Sequence, residues 1–355
     1  MTRHSHILGL DPGFGGFKLA EITPEGITTA YLPAVVGIGD TDTGLLSLDG
    51  LGKRRNGHTP RAVSWDGVRY LVGTGVARYA RPLQRLDFQR LANGPELRAL
   101  TYGVLAQGLG PGEHEASLII GLPVKVMADR DLATTTLKGL RKWLVGDHEF
   151  QVDDAICNVT VHQVKALAQP VGAFFAWGLN DAGRWRRSPD DLKAPVGVCD
   201  IGFNTLDLFA VEGGQVIARF TGGETLGMRR AAELLADLVR RAHGVSLALP
   251  QADALLREKS PAIYVDGQQR SVHSLAAQAL DATAADALAY IERHWGDGRQ
   301  FAHLLFTGGG SQALRTPLLR TWPHGLILPH PLTANAAGLA RYARRVFKLP
   351  ALASA

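Results

Sequence analysis

An α/β chain folded as two domains around a shared cleft is what this sequence predicts, on three observations. At 355 residues the chain has room for two domains. Strand-like apolar runs alternate with helical stretches along it. Two aspartate–glycine turns, far apart in sequence and each set between strand-like runs, repeat one construction, as two halves of a clamp would.

The first turn opens the chain. Ile7-Leu8-Gly9-Leu10 reads as a strand, Asp11-Pro12-Gly13-Phe14-Gly15-Gly16-Phe17-Lys18 as a turn, and Leu19-Ala20-Glu21-Ile22 as the return strand. Its glycines let the backbone approach a ligand closely, and Lys18 brings a point charge suited to phosphate. No Gly-Lys-Ser/Thr triplet follows and the second flank is not helical, which excludes a Walker loop and a dinucleotide fingerprint. Gly37 to Pro60 is rich in Gly, Asp, Thr, Lys and Arg and reads as a mobile loop or insertion. Residues 62–72 form a hairpin that turns at Asp66-Gly67; residues 73–81 follow as a turn into a short helix.

Pro95 sits at a first helical position and opens a helix through Ala106. Ala116 to Val124 is a buried strand ending at a proline turn, residues 129–144 a basic helix, and 155–161 another strand. The residues after Pro170 make an apolar helix with Gln169 at its cap. There the Gln169 side chain either caps the helix or points into a cleft. Residues 180–195 read as a polar loop.

The second turn follows. Val196-Gly197-Val198-Cys199 suits a buried strand, and Leu206 to Val211 shows a weak period of two. Between them, Asp200, Gly202, Asn204 and Thr205 offer backbone N–H groups, a hydroxyl and a carboxylate. Such a turn can cradle phosphate oxygens and hold the water shell of a magnesium ion; an ordinary polar hairpin is the alternative.

Beyond it come a glycine-rich turn at 221–227, helices at 228–243 and 251–259, a strand at 262–267 and an Ala-rich helix at 271–294. A strand from Phe301 then runs into Gly308-Gly309-Gly310, and the following helix N-terminus favours an anion or a ligand dipole. Leu332 to Ala343 is a helix of small residues, placed against the helix that starts at Pro170.

Composition narrows the class. The chain is 46% hydrophobic and 20% charged, an ordinary globular balance. Its net charge of +5 comes from scattered residues, so no nucleic-acid surface is read from it. The runs Lys53-Arg54-Arg55 and Arg184-Trp185-Arg186-Arg187 read as solvated loops. Cys157 and Cys199 lack zinc or disulfide spacing, which fits a cytoplasmic setting. Met1 to His6 leads straight into the first strand, so no signal peptide is expected, and no apolar run is long enough to span a bilayer.

In order, these motifs resemble those of the actin-like ATPases of the actin, heat-shock chaperone and sugar-kinase superfamily. Asp11-x-Gly13-x-Gly15-x-x-Lys18 is similar to the first phosphate loop, and Asp200-x-Gly202-x-x-Thr205-x-Asp207 to the second. Gln169-Pro170-x-x-Ala173 resembles the first connecting helix, Gly308-Gly309-Gly310 the adenosine motif, and Ala334-Asn335-Ala336-x-Gly338 the second connecting helix. Within the superfamily the chain looks most like the bacterial plasmid-segregation actins, the ParM/StbA group. The Asp-Ile-Gly-x-x-Thr-Leu-Asp form, the Gly121-Leu122-Pro123 strand end and the compact length carry that likeness; Phe203 and Asn204 replace a usual Gly-Thr.

The resemblance implies an actin-like (ribonuclease H-like) fold, with domain I formed by residues 1–168 and 334–355 and domain II by 169–333. It implies ATP or ADP with Mg2+ in the cleft. The nucleotide would meet Asp11, Gly13, Phe14, Gly15, Gly16 and Lys18 from the first loop. It would meet Asp200, Gly202, Phe203, Asn204 and Thr205 from the second, and Gly308, Gly309, Gly310, Ser311 and Gln312 at the adenosine. Asp11 and Asp200 would hold the metal through water, Gln169 would position the attacking water, and base contacts would come from 224–233 or near Glu258-Lys259. The implied function is ATP hydrolysis coupled to filaments that segregate plasmid DNA through a DNA-binding adaptor. Self-association is expected, without membrane or direct nucleic-acid binding. A small-molecule kinase, or a scaffold with weak turnover, is the alternative; the kinase lacks a carboxylate where Gln169 stands.

Overall fold

The computed structural model describes residues 4–41, 59–83 and 94–347. The expected insertion therefore falls largely outside the described residues, and so does Lys53-Arg54-Arg55. Two sheets organise the rest.

The first sheet has nine strands. β1 (His4–Gly13), β2 (Gly16–Thr23) and β3 (Gly26–Pro33) form an antiparallel meander. β4 (Val36–Ile38) pairs with the hairpin of β5 (Arg61–Trp65) and β6 (Val68–Val72). That hairpin turns where expected, with Asp66 at φ 50° and Gly67 at φ 76°, the left-handed pair that a tight two-residue turn demands. Next come α1 (Pro95–Leu109), β7 (Gly112–Leu122), α2 (Val124–Ala128), α3 (Arg130–Leu144), β8 (Gly146–Val152) and β9 (Ala155–Ala168). The strand order is β3-β2-β1-β7-β9-β8-β5-β6-β4. β1, β7 and β9 are parallel neighbours, so their C-terminal ends point the same way. Ligands of α/β sheets gather at such ends. β9 runs beyond the expected 155–161, to Ala168, and thereby delivers Gln169 to that edge.

The second sheet is built the same way. α4 (Gln169–Gly178) and the short α5 (Pro189–Lys193) lead into β10 (Val196–Ile201) and β11 (Leu206–Glu212). β12 (Gln215–Val216), β13 (Gly222–Glu224), α6 (Met228–His243), α7 (Leu249–Leu256), the hairpin β14 (Ala262–Val265) and β15 (Gln268–Ser271), and α8 (His273–Trp295) follow. β16 (His303–Thr307), α9 (Gly309–Ala313), α10 (Arg315–Thr321), β17 (Gly325–Ile327) and α11 (Ala334–Val346) complete the chain. The order is β12-β11-β10-β16-β17, with β13 on β11. Helices cover both faces. Leu208, Leu304 and Phe306 pack towards α6 and α8, while Val198, Phe209 and Leu305 pack towards α4. Burial on both faces explains the weak alternation of β11.

α4 and α11 cross at glycines. A Cβ on Gly338 would collide with the Gly172 carbonyl, and one on Gly172 with the Asn335 backbone, so the helices touch main chain to main chain. Phe175 and Tyr342 stack beside the crossing, centroids 4.2 Å apart. On its other side α11 lies on the first sheet, with Leu339 and Ala343 against Ile7 and Ile119.

Two expectations need correction, and a third is extended. Residues 222–224 of the glycine-rich turn pair with β11 as an edge strand. The 180–195 loop contains α5, capped by Ser188 and Asp191. The Arg184-Trp185-Arg186-Arg187 run is exposed at Arg184, Trp185 and Arg186, as a solvated loop should be, and is also tied back to α4. Arg186 donates to the Ala176 and Trp177 carbonyls at 2.7 and 2.9 Å, and Arg187 to Trp177 at 3.0 Å. They serve the carbonyls that the end of α4 leaves without helical partners. Among the described residues, no helix is long and apolar enough to cross a membrane.

Candidate functional site

The two aspartate–glycine turns meet. In the first, Asp11 of β1 stands opposite Lys18 of β2, and Lys18 Nζ lies 3.3 Å from Asp11 Oδ2. In the second, the Gly202 N–H donates to the Thr205 carbonyl at 2.9 Å and closes the loop between β10 and β11. A Cβ on Gly15 would stand 2.6 Å from Phe203 Cβ, so the tips of the turns abut. Between them lies a cleft lined by residues of both turns.

Most sequence-derived candidates line this cleft. Asp11, Gly13, Phe14, Gly15, Gly16 and Lys18 form one wall, and Asp200, Gly202, Phe203, Asn204 and Thr205 the other. Gly308, Gly309 and Gly310 close one end. Gly308 has φ 81°, and a Cβ there would collide with the Asp200 carboxylate, so both conformation and space require glycine. Ser311 and Gln312 are the exceptions. α9 already begins at Gly309, which turns the Ser311 hydroxyl back to donate to the Gly308 carbonyl at 2.8 Å and leaves Gln312 exposed to solvent.

The Gln169 side chain goes to the cleft and caps nothing. It is 7% exposed, and its Nε2 donates to Asp11 Oδ1 at 2.7 Å. Asn335 of α11 does the same for the second turn, donating Nδ2 to Asp200 Oδ2 at 2.6 Å. Each connecting helix thus holds one turn aspartate through one amide. Burial and the carboxylates of Asp11 and Asp207 push the Asp200 carboxyl up to about 7. Burial pushes Asp207 up to about 6. The turns therefore gather more negative charge than Lys18 balances.

That imbalance fits a divalent cation. Among the described residues no three His, Cys, Asp or Glu side chains converge into a protein-only metal site. Asp11 and Asp200 could together hold an ion that keeps most of its waters, the usual habit of magnesium. The buried Asn335 Oδ1 and Asn204 Oδ1 have no protein partner, and both side chains line the cleft.

Sequence reasoning missed Tyr31 and Leu332, which also line the cleft, whereas Met228 and Arg257 fall within or beside the stretches it offered for base contacts. Tyr31 reaches across from β3 and donates to the Gly15 carbonyl at 3.1 Å. Arg257 follows α7 and is clamped by Asp253 at 3.0 Å. It lines the cleft immediately before Glu258-Lys259, neither of which is among the lining residues. Of the 224–233 stretch only Met228 faces the cleft; Glu224 pairs with Lys125, and Glu233 with Arg229.

Comparison with known proteins agrees with this architecture. The model of the N-terminal domain of actin-like proteins matches residues 9–172. That of the C-terminal domain of the archaeal actin homologue MreB-like matches 198–319. Two actin-like family models thus match separate parts of the chain, and its fold is the actin-like fold. A pCBH ParM non-polymerisable quadruple mutant superposes with a TM-score of 0.76 at 16% identity, covering 96% of this chain and 100% of that one. A 15-stranded ParM filament from Clostridium botulinum gives 0.73 at 17%, covering 97% and 100%. An archaeal actin homologue in complex with ADP gives 0.70 at 17%, covering 95% and 99%. No curated protein matches the chain.

Proposed function

We propose that this chain is an actin-like ATPase that closes on magnesium–ATP and assembles into filaments that segregate plasmid DNA through a DNA-binding adaptor. The observation that carries the nucleotide reading is the meeting of Asp11 and Asp200, from different sheets, at one glycine-lined cleft beside Lys18 and Gln169.

Bound magnesium would neutralise charge on the transferring phosphate. Asp11 and Asp200 would hold its waters, and Lys18 Nζ and the turn N–H groups would take phosphate oxygens. Gln169 has committed Nε2 to Asp11, so its amide oxygen remains to accept from the attacking water. An amide is no strong base, and its contribution is orientation. Gly308 to Gly310 would lie along the adenosine, with Met228 and Arg257 beside it.

The bodies that would close are residues 1–168 with 334–355, and residues 169–333, turning about α4 and α11. Filament assembly is supported by the likeness to ParM solved as a filament. A cytoplasmic setting is supported by two free, buried cysteines.

Calorimetric titration with ATP and phosphate release, each with and without Mg2+, test the nucleotide reading. Wild type should bind and turn over only with the metal, and Lys18→Ala should bind at least about tenfold more weakly. Turnover that survives a chelator, or a wild type that binds no nucleotide, contradicts it.

A further inference from the structure

Asp207 lies on β11 opposite Asp200 and is 1% exposed. Its carboxylate joins two groups from different parts of the molecule. Oδ2 accepts from the Thr205 hydroxyl at 2.8 Å. Oδ1 accepts from the backbone N–H of Val124 at 3.2 Å. Val124 belongs to the first-sheet side: it opens α2, directly after Pro123, which lines the cleft. A first-turn helix amide has no partner within its helix. Buried here without an acceptor, it would be costly.

The surroundings are shaped for this contact. Gly223 pairs with Asp207 across β11 and β13, and a Cβ on Gly223 would collide with Asp207 Oδ1. Beside them Lys125 Nζ meets Glu224 Oε1 at 3.2 Å. That pair is half-exposed and contributes little by itself.

We infer that Asp207 is a positioning residue that makes closure of the cleft and order in the second phosphate turn a single event. One oxygen holds the Thr205 hydroxyl; the other holds the strand end at Pro123-Val124. The strand end cannot withdraw without releasing the carboxylate that orients Thr205. This tie is separate from the α4–α11 crossing, and its catalytic part rests on the ATPase reading.

The test uses Asp207→Ala, Asp207→Asn and Gly223→Ala in the full chain. Asparagine can keep both contacts, its oxygen accepting from Val124 and its amide donating to Thr205 Oγ1. Asp207→Ala should lower kcat about tenfold or more while the ATP Kd stays within about threefold. Gly223→Ala, which displaces the carboxylate, should reproduce that loss, and Asp207→Asn should stay within about threefold of wild type. Hydrogen exchange at the Val124 amide, measured without nucleotide, should accelerate in Asp207→Ala and Gly223→Ala.

An Asp207→Asn variant as impaired as Asp207→Ala overturns the inference, because the charge would then act directly on metal or phosphate. Unchanged Val124 exchange in Asp207→Ala overturns the contact itself. Normal turnover in Asp207→Ala overturns the coupling alone, whereas a wild type that releases no phosphate overturns the ATPase reading and the coupling with it.

Discussion

Gly338 of α11 rests on the main chain of Gly172 in α4, with no space for a side chain between them. Each of these helices also carries the amide that holds a turn aspartate, Gln169 on Asp11 and Asn335 on Asp200. The crossing and the two turns form one mechanical unit. Its packing is set by backbone approach, so it tolerates no added methyl.

Gly338→Ala should therefore destabilise the protein by about 1–3 kcal/mol, the usual cost of overpacking a closed contact. Chemical denaturation reads the change directly. An unchanged midpoint would mean that α4 and α11 part freely.

Gln169→Ala should cut phosphate release by about 100-fold and leave ATP affinity nearly intact, because the lost group orients water. Single-turnover kinetics beside a binding titration separate the two effects. Full turnover in the variant would remove Gln169 from the chemistry.

Asp200 governs a pH dependence of the ligand-free protein. Its carboxyl titrates at about 7 when folded, against 3.8 for the ordinary group. Between those values the folded state binds more protons than the unfolded one, so this group's contribution to stability falls as pH rises through that window. Its contribution is fully present below 3.8 and lost above about 7. Asp200→Asn removes the dependence. The melting temperature of wild type minus that of the variant should fall from about pH 5 to about pH 8. A constant difference would show that Asp200 is not held protonated.

Phe203 stands against Gly15 where the turns abut. Gly15→Ala should weaken nucleotide binding by forcing the tips apart, and adding Phe203→Gly should recover most of the loss. A double-mutant cycle in ATP affinity measures the coupling. Additive effects would mean that the turns do not meet in the bound protein.

Legibility in the sequence follows the range of the physical signal. The two turns are readable because aspartate, glycine and flanking apolar runs are neighbours in the chain. α6 is readable throughout Met228–His243 because its apolar face repeats at helical spacing. The destination of Gln169 is not local: it depends on β9 reaching Ala168 beside β7. Tyr31 and Arg257 reach the cleft from β3 and the end of α7, and no periodicity marks either of them. The partners of Arg186 and Arg187 are not legible in sequence because the carbonyls they serve belong to the helix before the loop. β13 and β17 span three residues each, too few for a period to show.

The most direct test of the central claim is pelleting of the purified protein with and without ATP and Mg2+, with phosphate release followed in the same tubes. An ATP-driven filament should pellet when ATP and metal are added and return to the supernatant as phosphate accumulates. Steady phosphate release with no pelleting would contradict the filament reading and leave a non-assembling ATPase or kinase in its place.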